Sequence, residues 1–465
     1  MTIPAQEVVV RRPLTLRRGL RFSDGTPVRP TDVRASFERA IQATRDQPPA
    51  EQVGNYLAGI VGAGRCSTGQ VPCSLARGIE TDERARTVTI HLTRPDADFL
   101  HKLATAFAYV VPAGSARRTT TGRTPPGTGP YRVATWDARR GGALVRNRYF
   151  RPTPARPLGA GFADRIDVGT YNVAKTEQQI ATVQRGAADV TVVANPFFTT
   201  LSPSRIRSLA AQSPGRLHSS PSQVTNWMTL NVRRRPFDDV RVRQAVNLAI
   251  DRNRVVDLLG GPEVGAPNCQ FLAPGFPGYV PYCPYTAGRA ADNGWTAPDL
   301  EHARRLVRTS GRAGERVIIS VSGEPAFGRY YARLLDELGF RTALRLPDSD
   351  EEDLYEPNTR TTTGLTGWEA DYLAPSSFIK DNFGCGGGGN ISRLCDRTLD
   401  RQIKRAVGAP QTDVAAWAAA ERRAVDLAPA VPLTYRRSAV LLSDRAGNAK
   451  THLLYFTLLD QMWVR

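Results

Sequence analysis

The sequence predicts an α/β protein built from two lobes, and three observations support that fold class. The chain has 465 residues, which exceeds the length over which a single hydrophobic core keeps growing, so two or three domains are expected. Two segments show a strand, helix, strand order: residues 166–171, 176–185 and 188–193, and residues 317–321, 327–338 and 343–346. Each order is typical of a β-α-β crossover between parallel strands. A central stretch separates the two crossovers, as expected for two lobes.

The central stretch runs from Leu230 to Gly260 and reads LNVRRRPFDDVRVRQAVNLAIDRNRVVDLLG. It begins as an extended segment that breaks at Pro236. Asp238 or Asp239 can then accept a hydrogen bond from the first amides of a helix whose apolar residues recur at helical spacing. Asp251 can cap a second helix, which ends at the following pair of glycines. The stretch therefore predicts a strand that leads into two helices.

The first third of the chain contains further local signals. Residues 14–22 alternate apolar and basic side chains, as a half-buried strand does, and Thr31 can cap the next helix. Residues 79–92 are typical of a hairpin that turns near Asp82. Residues 127–131, GTGPY, resemble a phosphate loop only superficially, because no helix and no Lys-Ser/Thr pair follows. We interpret them as the start of a strand.

The formal charge of +18 suggests a nucleic-acid partner at first sight. The basic residues are scattered along the chain, however, and only five of them are lysines. No basic run is interleaved with aromatic residues, as a platform for single-stranded nucleic acid requires. We therefore expect a basic, solvated surface and no nucleic-acid partner.

The six cysteines form three local pairs in turn-forming segments: Cys66 with Cys73, Cys269 with Cys283, and Cys385 with Cys395. Zinc would require C-x-x-C pairs or nearby histidines, so disulfide bonds are predicted and no metal site is expected. Disulfides indicate an oxidising compartment. The N-terminus MTIPAQEVVVRRP carries no secretion signal as written. The expectation is that the true start lies upstream or that the chain is a fragment of a longer secreted or fused product.

Four segments carry a resemblance to a known family: LRRGLRFSDGTPVRPTDV from residue 16, GTGPY from residue 127, LNVRRRPFDDVRVRQAVNLAIDR from residue 230, and GWEADY from residue 367. Together they are similar to the family 5 extracytoplasmic solute-binding proteins, which deliver peptides, nickel and related solutes to ABC importers. The resemblance implies a two-lobed, periplasmic-binding-protein-like fold of type II, with an extra domain in the first lobe.

The resemblance also implies a domain division. Residues 1–125 would form the extra subdomain of the first lobe, and residues 126–232 with 432–465 would form the first lobe itself. Residues 233–431 would form the second lobe. Family members usually have several dozen residues before the first matching segment, so the first lobe is expected to lack its N-terminal strand.

The segment GWEADY predicts the ligand site. In peptide-binding members an Asp at this position pairs with the α-amine of the peptide and the nearby Trp lines the pocket. The resemblance therefore implies Asp371 as the amine partner, Trp368 as an apolar wall, and Tyr372 as a further ligand-binding residue. The alternative is that Trp368 fills the core and Asp371 caps a turn. One departure is Leu365, where peptide binders often carry an arginine.

The predicted function is non-catalytic. The chain contains none of the motifs H-E-x-x-H, G-x-S-x-G and G-x-x-x-x-G-K-[ST], so we expect no enzyme. The resemblance implies a monomeric, extracytoplasmic protein, in the periplasm or at the cell surface, with no cofactor. It would bind a peptide or a similar small solute and present it to an ABC permease in the membrane. The alternative is a vestigial or sensor binding module derived from a larger fused protein.

Overall fold

The structure is a computed structural model, and it describes residues 8–9, 13–44, 56–67, 73–115, 124–152, 161–170, 172–194, 201–288, 294–347, 354, 356, 358–409 and 413–465. The chain forms two compact units. Unit 1 comprises Met1–Tyr171, Gly447–Lys450 and Leu458–Arg465, and unit 2 comprises Asn172–Ala446 and Thr451–Thr457. Over these described ranges, no helix has both the length and the apolar character needed to span a bilayer. The domain division given above stays a prediction.

Unit 1 begins with a small antiparallel sheet and a helix packed with it. The elements are β1 (Val8–Val9), β2 (Leu14–Thr15), α1 (Pro30–Thr44), α2 (Ala63–Ser67), β3 (Ile79–Asp82), β4 (Thr87–Leu92) and α3 (Phe99–Leu103). The predicted hairpin is confirmed as β3 and β4, which pair from Ile79–Ile90 to Asp82–Thr87. The strand predicted over residues 14–22 is formed only at β2, and Gly19 with a φ of 72° turns the chain away.

Helix α1 buries Val33, Phe37 and Ile41, as its spacing predicts. It begins at Pro30, so Thr31 is inside the helix and the predicted Thr31 cap is wrong. Asp32 has the stabilising role instead. Its carboxylate accepts hydrogen bonds from the backbone amides of Arg29 at 2.7 Å and Ala113 at 2.9 Å.

A second antiparallel sheet in unit 1 contains β5 (Tyr131–Asp137), β6 (Gly141–Arg146) and β7 (Arg165–Val168), in that order. The segment GTGPY leads directly into β5, which confirms its interpretation as a strand start. The crossover predicted from residues 166 to 193 is wrong, because β7 pairs with β6 whereas β8 (Val190–Ala194) pairs with residues 439–442 in another sheet. The side chains of β7 alternate between exposed and half-buried, which is typical of the edge of a small antiparallel sheet and not of a buried parallel strand.

Unit 2 is built around a large mixed sheet. Its strands, besides β8, are β9 (Leu217–Leu230), β10 (Gly265–Pro267), β11 (Arg316–Ser320), β12 (Arg341–Arg345), β13 (Thr363–Glu369) and β14 (Ala430–Leu442). They lie in the order β10-β14-β9-β13-β11-β12, and β8 also pairs with β14. Strands β11 and β12 are parallel, which confirms the second predicted crossover. Strand β13 is parallel to β11 and antiparallel to β9.

Helices cover this sheet. They are α4 (Thr176–Gln184), α5 (Pro203–Gln212), α6 (Val240–Ala249), α7 (Arg252–Leu258), α8 (Leu300–Ser310), α9 (Pro325–Glu337), α10 (Ser376–Phe383), α11 (Arg397–Gly408) and α12 (Val414–Leu427). The caps predicted for the central stretch are confirmed, because Asp239 accepts from the Arg241 amide at 2.8 Å and Asp251 accepts from the Arg254 amide at 3.0 Å. The chain ends with β15 (Ala446–Gly447), β16 (Thr451–His452), β17 (Phe456–Thr457) and β18 (Trp463–Val464).

The main core of unit 2 contains aromatic rings from the sheet and the helices. The Trp227 and Phe271 rings meet edge to face at 5.9 Å, and Phe271 lies 4.0 Å from Phe383 between ring centroids. Their burial stabilises the sheet on which the polar residues described next are held.

All three predicted disulfide bonds are present: Cys66–Cys73, Cys269–Cys283 and Cys385–Cys395. In a chain-entropy model, closing loops of this size stabilises the folded state by roughly 2 to 3 kcal/mol each. The third bond joins the two ends of a glycine-rich loop that follows α10.

Candidate functional site

Polar and charged side chains gather where β13 ends in unit 2. Ligands of open α/β sheets bind outside the carboxyl ends of the parallel strands. Strands β11 and β13 are parallel, so their carboxyl ends point the same way. We call this side of the sheet the carboxyl edge. Strand β9 runs antiparallel to both β13 and β14. The first half of β9 and the second half of β14 therefore also lie at this edge.

Glu369, the last residue of β13, is the first member of this group. Its Oε1 accepts a hydrogen bond from Nε2 of Gln223 on β9 at 2.9 Å. Burial raises the pKa of Glu369, and the hydrogen bond from Gln223 opposes that shift. Gln223 is fully buried, and its Oε1 has no hydrogen-bond partner among the described residues. A partly desolvated carboxyl group beside an unpaired buried acceptor is the kind of environment found at functional sites.

Glu324 and Arg436 form the second half of the group. Glu324 follows β11 directly before α9, and Arg436 lies on β14, where its carbonyl accepts from the Ser222 hydroxyl at 3.0 Å. Burial raises the pKa of Glu324 and lowers the pKa of Arg436, and the attraction between the two charges opposes both shifts. We call Gln223, Glu324, Glu369 and Arg436 the polar cluster.

The three predicted ligand residues lie close in sequence to Glu369 of the polar cluster. Trp368 is half-buried on β13, and its indole Nε1 donates to the Ser377 carbonyl at 2.6 Å. Asp371 is half-buried in the turn between β13 and α10. Tyr372 is buried, and its hydroxyl lies 3.0 Å from the hydroxyl of Ser376. The ligand-binding roles of all three remain predictions.

The Trp368 ring rests against the glycine-rich loop. A Cβ atom at position 389 would lie 2.9 Å from Cζ3 of Trp368, so the ring approaches the loop only because Gly389 has no side chain. The loop is held by Asn390, whose Nδ2 donates to the carbonyls of Gly384 at 2.9 Å and Leu394 at 2.7 Å. The loop therefore fixes one side of the indole.

Acidic and basic groups at one strand edge can bind a small solute that carries both charges. Desolvated carboxylates strengthen charge-assisted hydrogen bonds to an ammonium group, and a buried guanidinium does the same for a carboxylate. The part of the chain that is described holds no group of three or more His, Cys, Asp and Glu side chains placed to bind an ion.

The sequence pointed to Trp368 and Asp371 but missed the polar cluster. Glu369 lies between them in sequence. Its position at the end of the same strand was the sign that Glu369 could belong to the site. The other three members come from distant segments that only the pairing of β9, β11, β13 and β14 brings to this edge.

Comparison with known proteins decides the family. The model of the "Bacterial extracellular solute-binding proteins, family 5 Middle" matches residues 13–390. The chain belongs to this family. Family 5 proteins are extracytoplasmic, and the relatives found are substrate-binding proteins rather than enzymes.

Named relatives of this family 5 protein bind peptides. It is 24% identical over 410 residues to the "Probable di/tripeptide-binding protein 5" of Pseudomonas aeruginosa, covering 83% of this chain and 71% of that one. It is 23% identical over 380 residues to the "Periplasmic oligopeptide-binding protein OppA" of Escherichia coli, covering 78% of this chain and 65% of that one. It is 28% identical over 248 residues to the Escherichia coli "Glutathione-binding protein GsiB", covering 52% of this chain and 41% of that one.

Solved structures confirm the predicted fold class. The "MppA Periplasmic Murein Tripeptide Binding Protein, Unliganded Open Form" matches with a TM-score of 0.79 at 19% identity, covering 97% of this chain and 85% of that one. The "Clavulanic acid biosynthesis oligopeptide binding protein 2" matches with a TM-score of 0.79 at 23% identity, covering 99% and 87%. This family 5 chain therefore has the α/β fold of the two-lobed periplasmic peptide-binding proteins.

Proposed function

We propose that the protein is the solute-binding component of an ABC import system and binds a short peptide or a similar zwitterionic solute. It presents this ligand, as a monomer outside the cytoplasm, to a permease in the membrane. The observation that carries the proposal is the polar cluster, in which two half-buried carboxyl groups and a buried guanidinium lie at the carboxyl edge of a family 5 protein.

In this proposal Asp371 accepts the α-amine of the ligand, and the half-buried Glu369 adds negative potential two residues away. Trp368 supplies an apolar wall for a side chain of the ligand, and its hydrogen bond to the Ser377 carbonyl holds the indole in place. Tyr372 is the third ligand-binding residue of the proposal, and the contact of its hydroxyl with the Ser376 hydroxyl at 3.0 Å holds its side chain in place. We also keep the three-part domain division as a proposal, with residues 1–125 as the extra subdomain, residues 126–232 and 432–465 as the first lobe, and residues 233–431 as the second lobe.

A thermal-shift screen of dipeptides and tripeptides, with nickel as a comparison, tests the proposal. A ligand that binds only the folded state stabilises it by about 2.7 kcal/mol at a concentration of a hundred dissociation constants. We expect peptides to raise the melting temperature and Asp371→Ala to abolish that rise. Glu369→Gln removes a charge but keeps the Gln223 contact geometry, so it should weaken the rise without abolishing it.

The matched control is Asp257→Ala, which removes an exposed carboxylate from α7 in the same unit. This variant should respond to peptides as the unaltered protein does. If peptides shift the Asp371→Ala variant and the unaltered protein equally, Asp371 is not in the site. If no peptide shifts the unaltered protein, the proposed ligand class is wrong.

A further inference from the structure

A pocket of about 420 Å³ lies on unit 2 at the opposite side of the large sheet from the carboxyl edge. Arg234, Arg235, Arg316, Ile318, Arg360 and Thr362 line it, and we call it the arginine pocket. Arg316 is the first residue of β11, and Arg360 lies three residues before β13. The pocket therefore sits where the parallel strands begin, and its volume is within the range of small-molecule sites.

The backbone around the pocket is firmly held. In the turn after β9, Asn231 donates its amide to the Thr362 carbonyl at 2.9 Å, and its own carbonyl accepts from the Arg234 amide at 3.0 Å. The Val232 amide donates to the Ser392 carbonyl at 2.9 Å. These bonds fix the turn that carries Arg234 and Arg235 beside the segment that carries Arg360 and leads into β13.

The one hydroxyl group in the pocket wall, that of Thr362, forms its hydrogen bonds within the protein. The Thr362 hydroxyl accepts from the Ile318 amide at 2.9 Å and donates to the Ile318 carbonyl at 3.0 Å. The guanidinium groups are therefore the remaining hydrogen-bond donors, and the half-buried Ile318 supplies an apolar surface between them.

Among the described residues, only one of the four pocket arginines has a carboxylate partner. Arg235 lies 3.4 Å from a Glu315 carboxylate oxygen. Arg234, Arg316 and Arg360 form no ion pair with any carboxylate of the described residues. Asp238, close in sequence to Arg234 and Arg235, pairs with Arg312 at 2.7 Å. Like charges that line one pocket repel one another, and a bound anion removes that repulsion.

We propose that the arginine pocket binds a compact, multiply charged phosphate compound. Guanidinium groups match phosphate oxygens with two parallel N–H donors, and several of them around one pocket suit an anion with more than one negative charge. The phosphate group could be free in solution or belong to a lipid headgroup, and the experiment separates these sources. The site is independent of the proposed peptide site, so either proposal can fail alone.

Isothermal titration of the full chain with inorganic pyrophosphate tests the solution form, at fixed ionic strength. Sedimentation with vesicles of phosphatidic acid in phosphatidylcholine, against phosphatidylcholine alone, tests the lipid form. We expect saturable binding in one of these arms. Arg316→Gln combined with Arg360→Gln should weaken it on the order of 100-fold, because each guanidinium lost removes charge-assisted hydrogen bonds.

The matched control is Arg304→Gln combined with Arg308→Gln, which removes two exposed charges from α8 in the same unit. This control should bind almost as the unaltered protein does, and both double variants should keep the original melting temperature, since the side chains changed are exposed. Equal weakening in the two double variants would show a general charge effect and overturn the site. Absence of saturable binding to pyrophosphate and to acidic vesicles would overturn it as well.

Discussion

Glu421 on α12 is a charged residue type in a fully buried position. Its Oε1 accepts from the backbone amides of Phe271 at 3.1 Å and Leu272 at 2.7 Å, and its Oε2 accepts from Gln270 at 2.9 Å. Burial nevertheless raises the pKa of Glu421 to about 7, against the effect of these donors. The segment next to the Cys269–Cys283 bond is thus held by a carboxyl group that titrates near neutral pH.

The raised pKa predicts a pH dependence of stability. The folded state holds the proton of Glu421 more tightly than the unfolded state does, so its contribution to the free energy of unfolding is complete below about pH 4.5 and is lost as the pH rises through about 7. The loss amounts to about 3 kcal/mol. Urea unfolding between pH 4.5 and 8 measures it.

The comparison with Glu421→Gln isolates this effect from other titrating groups. That variant cannot ionise at this position, so its stability should fall less over the same pH range. Glu337→Gln, at an exposed position of α9, should keep the dependence of the unaltered protein. An identical pH profile for Glu421→Gln and the unaltered protein would contradict the prediction.

Helix α7 is tied to the large sheet by Arg252, which is fully buried. Its Nε donates to the carbonyls of Asn268 and Pro432, both at 2.9 Å, and its Nη1 donates to the Asn247 carbonyl at 3.2 Å. A lysine cannot reach these acceptors together, because its ammonium group is a single point at the end of a flexible chain.

Arg252→Lys should therefore lower the free energy of unfolding by about 3 kcal/mol, since it leaves buried carbonyls unpaired and a desolvated charge poorly bonded. Chemical denaturation followed by circular dichroism measures the change. Arg254→Lys lies on an exposed face of the same helix and should alter stability by less than about 0.5 kcal/mol. Similar losses in the two variants would show that the Arg252 contacts do not hold the helix.

Local sequence signals predicted the helices and strands well, whereas the pairing of strands into sheets was harder to predict. Asp239 and Asp251 cap their helices within three residues, so the sequence contained all the information needed. The partner of β8 is β14, which lies far along the chain, so the strand-helix-strand pattern wrongly placed β8 in the same sheet as β7. Arg252 could not be recognised as a core residue, because charged side chains are usually exposed.

At the scale of the molecule, the fold class followed from length, pattern and resemblance, and the disulfides followed from the cysteine spacing. The ligand residues predicted from the sequence, Trp368, Asp371 and Tyr372, all lie in one segment, and their roles stay predictions. Gln223, Glu324 and Arg436 are more than a hundred residues apart in sequence, and tertiary structure alone brings them to one strand edge.

The two compact units contain separate disulfides, which allows a test of how far their stabilities are independent. The Cys66–Cys73 bond lies in unit 1, and the other two bonds lie in unit 2. Replacing both Cys66 and Cys73 with serine should cost unit 1 roughly 2 to 3 kcal/mol, because the unfolded segment regains its freedom. Hydrogen exchange measured by mass spectrometry should then accelerate on the order of 30- to 100-fold in the slowly exchanging amides of α1, β3 and β4.

Amides of β9, β13 and β14 in unit 2 should keep their exchange rates. The control variant is Arg84→Ser, at an exposed residue of unit 1, and its amides should exchange as those of the unaltered protein do. A uniform acceleration over the whole chain would instead show that the two units unfold as a single cooperative body.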